Sequence, residues 1–198
     1  MKQLSRKIAA GLVLIGASVF TEAQQLRKLP PAQLSSAASQ ADAKMLPAGA
    51  TGMKVDRSQI VSLSGPSALT IVPVRFSRSS GQASAPFYQC GLFFVSPAGT
   101  RFVLSFGADW TETESCDSLK AIGTAAARGA QPVLALIYQA SGVRESFPEP
   151  VLLTWDETKK IYSPDEKLSR WITDQQISYT IPNIRQALAK RSSQPPGS

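Results

Sequence analysis

Hydrophobic residues fall into three textures along this chain. Residues 8–20 (IAAGLVLIGASVF) form one uncharged, mostly apolar run. From about residue 59 to 162, short apolar or alternating blocks are separated by Pro, Gly and Ser. From 163 to 190 the apolar residues return every third or fourth position. Alternation marks strands with one buried face, and three-to-four spacing marks amphipathic helices.

The central region therefore reads as strands. Gln59 to Leu63 is a short one and Leu69 to Phe76 a stronger one, although Pro73 cannot donate a ladder hydrogen bond and so points to an edge or a bulge. Phe87 to Val95 and Arg101 to Phe106 are the best pair. Tyr88, Cys90, Leu92 and Phe94 alternate onto one face of the first, Phe102, Leu104 and Phe106 do the same in the second, and Ser96-Pro-Ala-Gly-Thr100 supplies a tight turn. This predicts a β-hairpin whose shared face is core. Pro132 to Gln139 is a continuous apolar run, as expected of a central strand buried on both sides. Val151 to Trp155 follows, then a polar turn at 156–160 and a return through Ile161 and Tyr162. Trp155 and Tyr162 are expected in the core.

Three helices are predicted around these strands. Within the interruption from Gly107 to Gly129, Ser115 can cap a short helix through Cys116, Leu119 and Ile122, with Asp117 in its first turn. Ser163, Pro164 and Glu166 have the spacing of a capping box, so a helix is expected from Pro164 to about Thr173, docking through Leu168, Trp171 and Ile172. A last helix is expected from Pro182 to Lys190. The sum is an α+β domain over residues 53–190: a mainly antiparallel β-sheet of five to seven strands with two C-terminal helices on one face. A β-sandwich with peripheral helices is the competing architecture.

The ends of the chain read differently. Lys2, Arg6 and Lys7, the apolar run and a small residue at Ala23 follow the layout of a secretory signal peptide over residues 1–23. The run is too short to suggest a transmembrane anchor. Residues 24–52, rich in Ala, Ser and Pro, read as a spacer with a short helix from Pro31 carrying Leu34, Ala38, Ala41 and Met45. Residues 191–198 read as a disordered polar tail.

Charge and cysteines narrow the function. Loss of the three leader cations and Glu22 takes the net charge from +7 to +5, but no dense Lys/Arg block with interleaved aromatics is present, so nucleic acid is not an expected partner. Export would place Cys90 and Cys116 in an oxidising compartment, where the pair is expected to form a disulfide. The chain has no histidine, which removes imidazole acid–base chemistry, Ser-His-Asp and Cys-His catalysis, and the HExxH zinc site. No GxSxG, GxGxxG or phosphate-binding loop motif occurs. Neither a cofactor nor a metal is expected.

The candidate surface is the acidic segment around Asp109, Trp110, Glu112, Glu114 and Asp117, joined by Arg78 from the polar loop at 77–85. Trp110 would be the buried anchor of a contact. These features lead to the expectation of an exported, periplasmic or extracellular, non-enzymatic binding protein. Its partner would be another protein of the envelope or extracellular space, as for an inhibitor, an immunity factor or an accessory subunit. The alternative is a hydrolase of an envelope polymer using Asp109, Glu112 or Glu114 as acid and base.

Overall fold

The computed structural model describes residues 25–64, 68–78, 87–111, 114–128, 131–142 and 145–193. In chain order the elements are β1 (Leu26–Lys28), α1 (Pro31–Ala38), β2 (Ala50–Val55), β3 (Val61–Leu63), β4 (Leu69–Arg78), β5 (Phe87–Ser96), β6 (Gly99–Phe106), β7 (Ser115–Arg128), β8 (Gln131–Ser141), β9 (Ser146–Asp156), β10 (Ile161–Pro164), α2 (Glu166–Asp174) and α3 (Ile181–Ser193). The leader assigned to residues 1–23 lies outside the described residues. Among those described, no helix is long and apolar enough to cross a membrane.

The described strands make two antiparallel sheets. Six run in the order β1-β3-β4-β5-β6, with β2 also against β4, and four run β10-β9-β8-β7. The sheets face each other across a core that includes Ile71, Leu92, Phe94 and Phe106 from the first and Leu134, Leu136, Val151, Leu153 and Tyr162 from the second. The outer face of the second sheet carries α2 and α3 through Ile172, Ile184 and Leu188, and that of the first carries α1 through Ala37 and Ala38. The fold is thus α+β, with antiparallel strands and two C-terminal helices on one face. The ten strands among the described residues exceed the five to seven expected, and they divide between two sheets, so the sandwich reading is also compatible.

The alternation at β5 and the continuous run at β8 behave as their patterns require. Cys90, Leu92 and Phe94 face the second sheet, and β8 is buried on both faces. The partner face needs correction. Phe106 points into the intersheet core, but Phe102 and Leu104 pack on the opposite side with Phe76 and Phe93. A bulge between Cys90 and Gly91 shifts the register there, and one extra residue exchanges the faces of everything beyond it. The same crossing brings the Phe102 ring over Gly91, where a Cβ would also meet the Val103 carbonyl at 2.9 Å.

Pro73 is not on an edge. β3 pairs with the start of β4 and β2 with its end, and Pro73 sits in the gap between them. No ladder donor is needed at that point, and the Pro73 carbonyl accepts from Asp56 N at 2.9 Å. The strand predicted from Gln59 begins only at Val61, because Arg57–Gln59 forms a 3₁₀ turn capped by Asp56. Residues 25–52, expected as spacer, add β1 to β3 and bury Ala37 and Ala38, while Met45 is exposed.

Two helix assignments also change. The helix expected at Ser115 is instead the long strand β7, whose pairing with β8 runs from Ser115↔Ser141 to Arg128↔Gln131. Three register shifts in that ladder erase the simple alternation, and long-range pairing overrides the local capping signal. Ser163 does not cap α2 either. Ser163 and Pro164 finish β10 against Thr154 and Leu153, and Asp165 caps the helix by accepting from Leu168 N at 3.0 Å. At the far end α3 continues to Ser193, with the Arg191 guanidinium 4.6 Å from the Trp171 ring centroid, while residues 194–198 lie outside the described residues.

Candidate functional site

Cys90 and Cys116 form the expected disulfide, tying β5 of one sheet to β7 of the other with their Cα atoms 5.9 Å apart. The chain between β6 and β7 carries most of the residues singled out by the sequence. The structure does not gather them into one site. Asp109 is exposed in a left-handed backbone conformation (φ 49°), and Trp110 is half-buried against the intersheet core. Thr111 locks the turn beneath them: its Oγ1 accepts from Gly107 N at 2.8 Å and donates to the Ala108 carbonyl at 2.9 Å. Glu112 lies outside the described residues. Asp117 faces a separate hollow of about 290 Å³ with Arg75 and Lys54. Its carboxylate accepts from Ser141 Oγ, and its carbonyl accepts from Arg75 Nη1 at 2.6 Å. Arg78 is exposed at the end of β4; the loop segment 79–85 lies outside the described residues.

Glu114 finds a partner that the sequence reading missed. A polar hollow of about 260 Å³ is lined by Trp110, Thr111, Glu114, Glu149, Arg170, Thr173 and Asp174. Burial pushes the Glu114 carboxyl upward, and its Oε2 is buried with no hydrogen-bond partner among the described residues. Glu149 is pushed up to about 7, first by burial and then by the charge of Glu114, against a hydrogen bond from Thr173 Oγ1 that lowers it. Glu149 reaches this position because β10 stops at Pro164. Beyond that point α2 takes over the open edge of β9, with Leu152 N donating to Ser169 Oγ at 2.9 Å. The only sequence signal for it is a charge flanked by prolines, Pro148-Glu149-Pro150.

Another cavity lies elsewhere between the sheets. A cleft of about 610 Å³ opens between the β5–β6 turn and the β9–β10 turn. Leu69, Phe94, Trp155, Ile161 and Tyr162 are the large apolar members of its lining, and Arg101 and Lys160 its charged ones; no carboxylate among the described residues lines it. Phe94 stacks on Tyr162 with centroids 5.6 Å apart, and Trp155 meets Tyr162 edge-on at 5.3 Å. Burial pushes the Tyr162 hydroxyl upward, so this floor stays neutral.

The rim is held by polar contacts. Arg101 Nη1 donates to the Lys159 carbonyl at 2.6 Å and ties the two turns together. The Asp156 carboxylate accepts from Thr158 N and Lys159 N, each at 2.9 Å, and the Lys159 contact holds its pKa below the ordinary value. Lys160 completes the turn at φ 52°, a left-handed conformation that L side chains rarely adopt. Its Nζ lies 2.8 Å from Glu157, with both side chains largely exposed.

The chain matches no family model, no curated protein and no solved structure.

Proposed function

We propose that this is an exported, non-enzymatic binding protein and that the cleft between the β5–β6 and β9–β10 turns is its ligand site. One observation carries the reading: the cavity is of ligand size, and its half-buried apolar wall, Trp155 and Ile161, is backed by the buried stack of Phe94 on Tyr162. Pockets of roughly 300–1,000 Å³ with an apolar lining and a few placed polar groups are the usual form of small-molecule sites. The disulfide and the leader-like N-terminus support an exported setting, and the absence of histidine from the chain favours binding over acid–base chemistry. A protein partner remains compatible, with Trp110 as an anchor on the 107–114 connection.

Equilibrium binding of the uncharged fluorescent probe N-phenyl-1-naphthylamine to the oxidised protein tests the proposal. Saturable binding is expected at one site per chain. It should be abolished by Ser96→Trp, which places an indole on the cleft side of β5 two residues beyond Phe94. Binding that survives this substitution unchanged would remove the cleft from consideration.

A second reading has its own support. Glu114 and Glu149 share a hollow in which burial raises both carboxyls and the charge of Glu114 raises Glu149 further, the condition a carboxylate acid needs. In that reading the two act as acid and base on an envelope polymer. Glu114→Gln and Glu149→Gln would each lower polymer turnover by orders of magnitude with the fold intact; turnover equal to wild type would exclude it.

A further inference from the structure

We infer that the cleft takes a single-chain amphiphile with a carboxylate head, a fatty acid in chemical class. The chain would lie against Trp155 and Ile161, over the buried Phe94–Tyr162 pair, and the head would meet Arg101 and Lys160. This rests on the cleft being the ligand site and adds what occupies it.

Charge and shape carry the assignment. The cleft's lining is mostly apolar, with Ser96 and Thr100 among its uncharged polar members, so an occupant gains most by presenting hydrocarbon to it. The charged residues lining the cleft are both cations, which favours an anionic head over a neutral or cationic one. Arg101 commits one guanidinium N–H to the Lys159 carbonyl, and this contact holds the planar fork at the mouth. The remaining donors suit the two oxygens of a carboxylate. Lys160 pairs with Glu157, but exposed ion pairs of this kind are worth little, so that contact competes weakly with an anion in the cleft. Two cations, one of them already shared with an acid, balance a single negative charge. A monoanionic carboxylate fits that balance better than a phosphate approaching two charges. The volume is that of a small-molecule site, which favours one chain over a two-chain lipid.

Displacement of bound N-phenyl-1-naphthylamine from the oxidised protein at pH 8, below micellar concentrations, tests the head group. The competitors are dodecanoate, dodecan-1-ol, dodecyl phosphate and dodecyltrimethylammonium. Dodecanoate should displace the probe at least tenfold more tightly than the alcohol, with the cation weakest. Arg101→Gln and Lys160→Gly should each narrow the gap between acid and alcohol to about threefold or less. The glycine variant suits the backbone at φ 52° and so removes charge without disturbing the turn. Equal displacement by acid and alcohol, tighter binding of dodecyl phosphate, or an unchanged preference in both variants would overturn the assignment while leaving the cleft as a site. Absence of probe binding would instead overturn the reading of the cleft itself.

Discussion

Phe94 and Tyr162 stack across the two sheets with their ring planes 22° from parallel. Phe94 belongs to the first sheet and Tyr162 to the second, and both are almost fully buried. The pair is at once an intersheet contact and the floor of the cleft. Phe94→Ala should therefore cost about 3–5 kcal/mol, as for other buried aromatic truncations. Phe94→Leu should cost less and keep the fold, but weaken probe binding because the support of Tyr162 and Trp155 behind the cleft is lost. Urea unfolding and probe titration on the two variants separate these effects.

The disulfide closes a loop across the sandwich between residues 26 positions apart. In the loop-entropy picture such a closure contributes on the order of 3 kcal/mol. Replacing both cysteines by alanine should lower the unfolding free energy by about that amount, and urea denaturation is the check. A domain with this much buried apolar surface should still fold without the bond.

Stability should also depend on pH through Glu149. Its folded-state pKa, about 7, lies above the ordinary 4.5, so the native state binds the proton more tightly than the unfolded chain does. The contribution is fully present below pH 4.5 and is lost as pH rises through 7. Discounted for the partial exposure of the group, the loss is on the order of 2 kcal/mol. Glu114 shifts in the same direction. Thermal melts from pH 4.5 to 8 should show the decline in wild type and a shallower one in Glu149→Gln.

Lys160 permits a separation of stability from binding. At φ 52°, glycine should be tolerated with a change within about 1 kcal/mol, because relief of backbone strain offsets the added freedom of the unfolded chain. Lys160→Val, β-branched in the same conformation, should lose about 1–2 kcal/mol. Melting curves of the two variants give the comparison.

Much of the scaffold was legible in the sequence because its signals are local or strongly patterned. The β5–β6 hairpin announced itself through alternation around a Pro-Gly turn, and β8 through an unbroken apolar run. The disulfide followed from the two cysteines and an expected oxidising compartment. β7 was not legible, since Ser115 and Asp117 give a helix-start signal while the deciding force is pairing with β8, interrupted by bulges. The bulge opposite Gly91 likewise hid the true faces of Phe102 and Leu104. Of the candidate site, Glu114 was found but its partner Glu149 was not, for 35 positions separate them. Trp155 and Tyr162 were recognised as core aromatics. That they also floor a cleft depends on Phe94 and Arg101, brought to them only by the packing of one sheet on the other.

The most direct test of the cleft is backbone amide chemical-shift mapping of the oxidised protein during titration with dodecanoate. The largest changes should cluster at Phe94, Arg101, Trp155, Ile161 and Tyr162. Changes centred on Trp110, Glu114 and Glu149 instead, with the cleft residues unmoved, would contradict it.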